Sequence, residues 1–511
     1  MFDPNALIEA FHLFFTPEVF YWLAIGVFIG VGVGAIPGLT GSTAIALMLP
    51  LSFFLPVAPA LGLLIGLYKG AIFGGSISAI SFGVPGTPGA AATVFDGYKL
   101  TKKGKGRKAL EMALYSSVTG DFLSDLFTIL VAPAVAIVAL AFGPTERIWL
   151  MALAIILIGA LAGKHLVLGL ISAALGLFLA TIGADPAGGV PRMTFGQWWL
   201  SDGIPIIPIV IGIFAMPVML LEASKFLGGG DMAKRAMGRI SQSIWKTEPG
   251  LTFREYWSCR KEMGIGTAVG TFIGMLPGIG SSAAAFLSYG VAKQVSPRKG
   301  IGTGVLEGVA VCEAGNNATC GPTLIPLLVF GIPGSAIAAL IGAGLMLHGA
   351  MPGPRMFQEH AAIIYALFMI LLVANVFNLG IGRIFTRVYA MLAQFPKPIL
   401  IPMILMLCVI GTYGARENPY DIITMVVLGF LGFGMLVIGI PTAPLVITFI
   451  ISPMIEADLR RALVISGRDW IPALFGSPLA IGLILAVIVL LFFTVQYIQK
   501  GEQEIAGDQL E

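Results

Sequence analysis

Apolar runs long enough to cross a bilayer recur along almost the whole of this 511-residue chain, and they limit its fold more than any other feature. They fall near residues 19–36, 42–65, 70–83, 109–142, 147–184 and 203–227, then near 263–292, 301–350, 361–382, 398–412, 421–456 and 472–497. In hydrocarbon every backbone N–H and C=O must find a partner within the protein, so such runs fold as helices. Only 11% of the residues are charged, against about 25% in soluble domains, which excludes an ordinary soluble enzyme. The apolar 57% of 511 residues would supply at most about 14 spans at roughly 20 residues each. With 66 glycines and 32 prolines, helices broken inside a bundle fit better than simple anchors. The expected fold is an all-α polytopic membrane protein of about 10–14 membrane segments.

The basic residues give the chain a direction. Residues 99–108, KLTKKGKGRK, carry six positive charges in ten. The polar stretch 225–262 holds Lys225, Lys234, Arg235, Arg239, Lys246, Arg254, Arg260 and Lys261, and smaller clusters follow at Lys293, Arg298 and Lys299 and at Arg383 and Arg387. The positive-inside rule places these clusters in the cytoplasm. No Lys or Arg precedes Lys69, so the first half starts outside and the second half starts inside. The expected organisation is an interfacial segment (1–17), a first transmembrane repeat (18–227), a cytoplasmic linker (228–261), a second repeat (262–498) and a polar tail (499–511). The first twenty residues lack a basic leader and do not read as a signal peptide.

Cys259, Cys312, Cys320 and Cys408 show no metal-ligand spacing, and neither do His12, His165, His348 and His360. No cofactor or firm metal site is expected. The net charge of 30 − 27 = +3 gives no reason to expect nucleic acid as a partner.

An internal repeat supports the division. GVGVGAIPGLTGS (30–42) matches GTFIGMLPGIGSS (270–282) at an offset of 240, and FGVPG (82–86) matches FGIPG (330–334) at an offset of 248. An eight-residue insertion around GPTLIPLL (321–328) would reconcile the two offsets. Glycines at i, i+4 and i+8 let helices approach closely, while Pro-Gly ends a helix in mid-membrane. Broken helices at corresponding positions of two repeats mark a transporter's binding site, with half-helix N-termini favouring carboxylates. The expected substrate site is therefore Pro37, Gly38, Thr40 and Ser42 from one break and Pro277, Gly278, Ser281 and Ser282 from the other. Asn316 and Asn317 complete it from EAGNNATCG (313–321).

Ser76, Ser78, Glu313, Thr319, Gly334 and Ser335 cluster beside the second motifs as cavity or coupling-ion residues. Backbone carbonyls with Ser, Thr and Asn oxygens suit Na⁺, whereas a proton needs a carboxylate, and Glu313 is the one at hand. Lys69, Asp121 and Asp125 read first as a buried Lys–Asp ion pair, with a coupling-ion role as the second reading, and Asp96 as a cap or loop anchor.

Together GxxxGxxPG in both halves, GGSIS (74–78), PGTPGAAATVFDGY (85–98), EAGNNATCG and GIPGSAIAALIGAGLMLHGAMPGP (331–354) resemble the large permease subunit of tripartite tricarboxylate transporters, the TctA-like family. The chain departs from the family form at Lys69, Cys312 and Gly315. The resemblance implies a multi-pass protein of the bacterial inner membrane that imports a tri- or dicarboxylate by symport with Na⁺ or H⁺. It also implies two partners, a small four-helix membrane subunit and a periplasmic solute-binding protein. Self-association of the chain stays open. The competing readings are a membrane-embedded transferase and a channel or exporter of the same architecture. The transferase reading lacks paired carboxylates or histidines beside a phosphate grip. An ATP-driven importer permease is a further reading, against which stands the lack of a GxxxxGK(S/T) P-loop in this chain.

Overall fold

The computed structural model describes residues 3–161, 166–185, 189–227, 250–296, 300–392, 397–467 and 469–489. Most of the expected linker (228–249), the tail 499–511, His165, Arg298 and Lys299 lie outside the described residues. The described chain is almost wholly helical, with one two-residue strand pair, Gly183–Ala184 against Pro191–Arg192. Among the described residues six helices are long and apolar enough to cross a membrane, and five shorter apolar helices accompany them.

After α1 (Pro4–Phe14), the first half runs through α2 (Pro17–Ala35), α3 (Gly41–Phe53), α4 (Val57–Phe82), a 3-10 turn at Pro88–Ala91, α5 (Val94–Lys102) and α6 (Gly106–Leu140). It continues with α7 (Pro144–Leu161), α8 (Leu166–Ala180) and α9 (Ile206–Val210), which passes through a π turn into α10 (Met216–Leu227). The second half contains α11 (Phe253–Ser258), α12 (Arg260–Gly274), α13 (Gly280–Val295), α14 (Leu306–Asn317), α15 (Leu324–Phe330) and α16 (Ala336–Leu347). These are followed by α17 (Met356–Glu359), α18 (Ala361–Leu392), α19 (Lys397–Arg416), α20 (Pro419–Val437), α21 (Ala443–Ile465) and α22 (Trp470–Phe475). The N-terminal helix α1 turns Ala6, Ala10 and Phe14 inward against α18 and leaves Phe11 exposed.

The glycine stripes set the packing of each half. Gly26, Gly30 and Gly34 of α2 lie on the backbone of Leu63, Leu67 and Ala71 in α4. Gly266, Gly270 and Gly274 of α12 lie in the same way on Val311, Gly315 and Thr319. The first set repeats at 240 residues and the second at 248, so the helix pairs share one register. The extra residues therefore precede Val311, and the expected insertion at 321–328 is corrected. Three residues (54–56) join α3 to α4, whereas ten (296–305) join α13 to α14. Segment 318–323 instead interrupts the counterpart of α4, where Pro322 cannot supply an N–H to a helical ladder.

The inserted loop has a visible purpose. Gly300, Gly302 and Gly304 all take positive φ (129°, 101° and 89°), which turns successive amides inward. Asp96 is fully buried and accepts from Gly302 N (3.0 Å), Gly304 N (2.6 Å), Val305 N (3.1 Å) and the Tyr289 hydroxyl (2.9 Å). Asp96 is thus the loop anchor expected of it. Lys99 and Lys103 donate to the Gly302 and Thr303 carbonyls of the same loop. Lys108 pairs with Glu255, and Glu111 accepts from Leu251 N at 2.6 Å. The basic segment 99–108, the chain around 251–256 and loop 300–305 therefore meet at one end of the bundle. From there α6 runs 35 residues, about 52 Å at 1.5 Å per residue, to the other end.

Candidate functional site

Each Pro-Gly motif ends a helix and starts another. After α2 the chain turns at Gly38 (φ 96°), and Thr40 caps α3 by accepting from Thr43 N at 3.3 Å. Ser42 Oγ lies 2.8 Å from Thr40 Oγ1. After α12 the chain turns at Gly278 (φ 88°) and Gly280 (φ 72°), and α13 begins without a side-chain cap. Ser281 and Ser282 stand in its first turn. The second motifs are shaped alike, since Gly83 and Gly331 both end their helices in left-handed geometry (φ 72° and 73°). Ser335 caps α16 by accepting from Ala338 N at 3.1 Å. Its counterpart Thr87 precedes the 3-10 turn with a buried hydroxyl that has no partner.

The halves exchange contacts at these points. A Cβ on Gly41, at the start of α3, would meet Ile337 at 3.2 Å, just inside α16. A Cβ on Gly89 would meet Ser281 Oγ at 3.1 Å, at the start of α13. Residue 41 corresponds to 281 at the 240 offset, and 89 to 337 at the 248 offset, so the two contacts are one contact made twice. Such reciprocity is what a two-fold relation between repeats produces. Gly278 N also donates to Gly334 O at 2.9 Å, tying the second break to the second motif of its own half.

Asn316 and Asn317 are both fully buried but face different surroundings. The Asn316 amide has no hydrogen-bond partner and lies against Gly89, which also borders Ser281. Asn317 Nδ2 donates to Ser117 Oγ at 2.9 Å and to Glu313 O at 3.2 Å. The Glu313 carboxylate accepts from Ser76 (2.6 Å), Ser117 (2.9 Å) and Thr93. This network joins α14 to α4, α6 and the residues before α5. Ser78 and Thr319 bond to nearby carbonyls at 3.2 and 2.8 Å, and Gly334 packs on Thr323.

The sequence matches the family described as Tripartite tricarboxylate transporter TctA family over residues 20–447. The chain belongs to that family. An "Uncharacterized 52.8 kDa protein in TAR-I ttuC' 3'region" of Agrobacterium vitis is 33% identical over 482 residues, 93% of this chain and 94% of that protein. A second Agrobacterium vitis protein, "Uncharacterized protein in TAR-II ttuC' 3'region", is 33% identical over 227 residues, 43% of this chain and 94% of its own length. No solved structure matches. TctA proteins are transporters and not enzymes, so the transferase reading is withdrawn. The protein is a multi-pass membrane protein of a tripartite transport family.

Several residues at this TctA site escaped the sequence reading. Thr87, Gly89 and Thr93 lie inside a quoted motif, but nothing local shows which of its residues face inward. Ser117 precedes Asp121 by one turn of α6, a spacing that could have placed it on the same polar face. Glu222 of α10 is the most consequential omission. Its carboxylate would stand 2.9 Å from a Cβ on Gly38, at the turn that leads into α3. At the second break a Cβ on the corresponding Gly278 would meet Ile158 instead of an acid. A cleft of about 530 Å³ opens at the far end of α6, lined by Arg147, Arg355, Arg460 and Arg461 among apolar residues. Arg147 pairs with Asp458 at 2.8 Å and Arg460 with Glu456 at 2.7 Å, while Arg355 is exposed and acts on Asp458 through its charge.

Proposed function

We propose that this chain is the large permease subunit of a binding-protein-dependent secondary transporter importing an organic di- or tricarboxylate across the bacterial inner membrane. A Na⁺ or H⁺ gradient drives it, and its partners are a small four-helix membrane subunit and a periplasmic solute-binding protein. Residues 18–227 and 262–498 form two repeats of inverted topology, and the carboxylate is held where their breaks meet. The observation that carries this reading is the reciprocal contact of Gly41 with Ile337 and Ser281 with Gly89. It brings each half-helix N-terminus against the other repeat's second motif.

Partial positive charge at those termini, with Thr40, Ser42, Ser281, Ser282 and the open Asn316 amide, holds carboxylates without a buried cation. The absence of a Lys or Arg there suits release, because stripping water from an ion pair is costly. If segment 99–108 is cytoplasmic, the arginine cleft faces outward, against the usual distribution of positive charge. There it attracts the anion as the binding protein delivers it.

The test is reconstitution of the chain with both partners in proteoliposomes, with labelled citrate and succinate as probes. Uptake is expected to need the binding protein, to collapse with a Na⁺ or H⁺ ionophore, and to ignore ATP. Uptake that needs ATP and persists without an ion gradient overturns the reading.

A further inference from the structure

On α6, Ser117, Asp121, Asp125 and Thr128 recur every three or four residues and form one buried face. Its upper end joins the Glu313 network through Ser117. One turn further, Lys69 of α4 reaches into the same face from the opposite helix. Lys69 Nζ lies 2.5 Å from Asp125 Oδ2 and 3.0 Å from Asp121 Oδ2, and donates to Leu371 O at 3.0 Å. Asn375 of α18 donates to Asp125 Oδ2 at 2.6 Å. All four side chains are buried at 0–1% exposure.

The two acids are not equivalent. Asp125 Oδ2 takes two donors, whereas Asp121 meets only the shared Lys69 ammonium at Oδ2 and its Oδ1 has no partner. Asp125 Oδ1 and Asn375 Oδ1 are also open. Tyr68 and Cys320, both buried beside Asp121, close the site from α4 and the 318–323 interruption. Gly321 of that interruption packs directly on Asp125 and Thr128. With both carboxylates ionised, one lysine leaves the cluster a positive charge short in a place water does not reach. Buried charge without a counter-charge is costly.

We infer that Asp121, with the open oxygens of Asp125 and Asn375, binds the monovalent coupling cation, a proton or Na⁺, at a site separate from the carboxylate. The cation enters when Asp121 is empty, neutralises the cluster, and leaves on the other side of the membrane. Lys69 stays bound to Asp125 throughout. The interruption at 318–323 follows directly on the last turn of α14, which carries Asn316, and lets the site respond to that helix. The binding claim stands by itself, and only its coupling role rests on the transporter reading.

Thermal unfolding of the purified chain in detergent tests the binding claim between pH 5 and 9, in NaCl and in choline chloride. The groups facing Asp121 are Tyr68 and Lys69 from α4, Asp125 from its own helix, Cys320 from the interruption and Asn375 from α18. For the wild type, a proton site predicts a midpoint that falls as pH rises, because Asp121 is then left ionised without its neutralising partner. A sodium site predicts a fall when choline replaces sodium at high pH. Either fall should exceed about 2 °C. Asp121→Asn should abolish the dependence and be at least as stable as wild type at pH 9, whereas Asp125→Asn, which strips Lys69 of its acid, should unfold earlier at every pH.

A wild type indifferent to both pH and sodium overturns the proposal without any variant. So does an Asp121→Asn protein less stable than wild type across the whole range, the behaviour of a purely structural ion pair. In proteoliposomes with its partners, Asp121→Asn should exchange labelled citrate across the membrane at half the wild-type rate or better, yet accumulate none. Gradient-driven accumulation by this variant overturns the coupling role. A wild type that neither exchanges nor accumulates citrate or succinate counts against the transporter reading and leaves the unfolding result standing.

Discussion

Gly30→Val is expected to leave almost no folded protein in the membrane, whereas Gly264→Val, on an α12 glycine with open space around it, should be accepted. A Cβ on Gly30 would stand 2.6 Å from Leu67 O, 3.0 Å from Leu67 Cα and 3.1 Å from Ala71 N. All three are backbone atoms of α4, so no side chain can swing aside. The contact is made from both helices, since a Cβ on Gly70 would meet Val27 O at 2.6 Å and Gly30 Cα at 3.2 Å. Relief requires α2 and α4 to separate along their shared length, which removes contacts from nearly every turn of a helix buried over its whole length. Overpacking a core costs about 1–3 kcal/mol and more where the backbone must move, and helices in lipid are held together mainly by close packing. A loss above about 3 kcal/mol is a large share of a typical stability of roughly 5–15 kcal/mol. A Cβ on Gly264 would meet nothing within 4 Å, so a valine there overpacks no neighbour. Yield and monodispersity in detergent, with the unfolding midpoint, measure the difference. Equal behaviour of the two variants would show that the glycine stripe is not what sets the helix separation.

That stripe was legible in the sequence because its signal is local: one residue type recurring at the period of the helix. The Pro-Gly breaks were legible for the same reason, since each names its own backbone geometry. The location of the insertion was not. The two motif pairs bracket more than forty residues, and only the register of Gly266 on Val311 shows on which side of α14 the extra residues fall. Asn316 and Asn317 illustrate a further limit. Neighbours on a helix point about 100° apart, so adjacent residues of identical chemistry serve different surroundings. Nothing in EAGNNATCG says which asparagine meets Ser117 and which meets Gly89. A pairing of Lys69 with an intramembrane aspartate is legible, because an ammonium in an apolar helix must find an acid, but that it reaches both Asp121 and Asp125 is not. That the pairing leaves Asp121 Oδ1 without a partner is a property of three helices crossing, and it is invisible in any one of them.

Asn316→Ala should raise the apparent substrate constant for citrate by about tenfold to 150-fold while leaving the protein as stable as before. The magnitude follows from one hydrogen bond to a charged group, worth about 1.5–3 kcal/mol, lost from the bound state. The unchanged stability follows from the Asn316 amide being buried with no protein partner on either Oδ1 or Nδ2. Removing a polar group that the folded protein does not satisfy costs no hydrogen bond and spares its desolvation. Asn317→Ala should show the opposite pattern. It strips a donor from Ser117 and from Glu313 O and loosens the network that holds α14 against α6. Its unfolding midpoint should fall, and the protein that does fold should bind citrate with nearly the wild-type constant. Ser282→Ala, in the uncapped first turn of α13, should follow Asn316→Ala in direction. Initial uptake rates over a range of citrate concentrations, set beside unfolding midpoints in detergent, separate the two asparagines. An Asn316→Ala protein that transports with unchanged affinity would move the carboxylate away from the second break. The unsatisfied amide would then be left to the contact with Gly89 alone, and the Pro-Gly motifs would serve as hinges between the repeats.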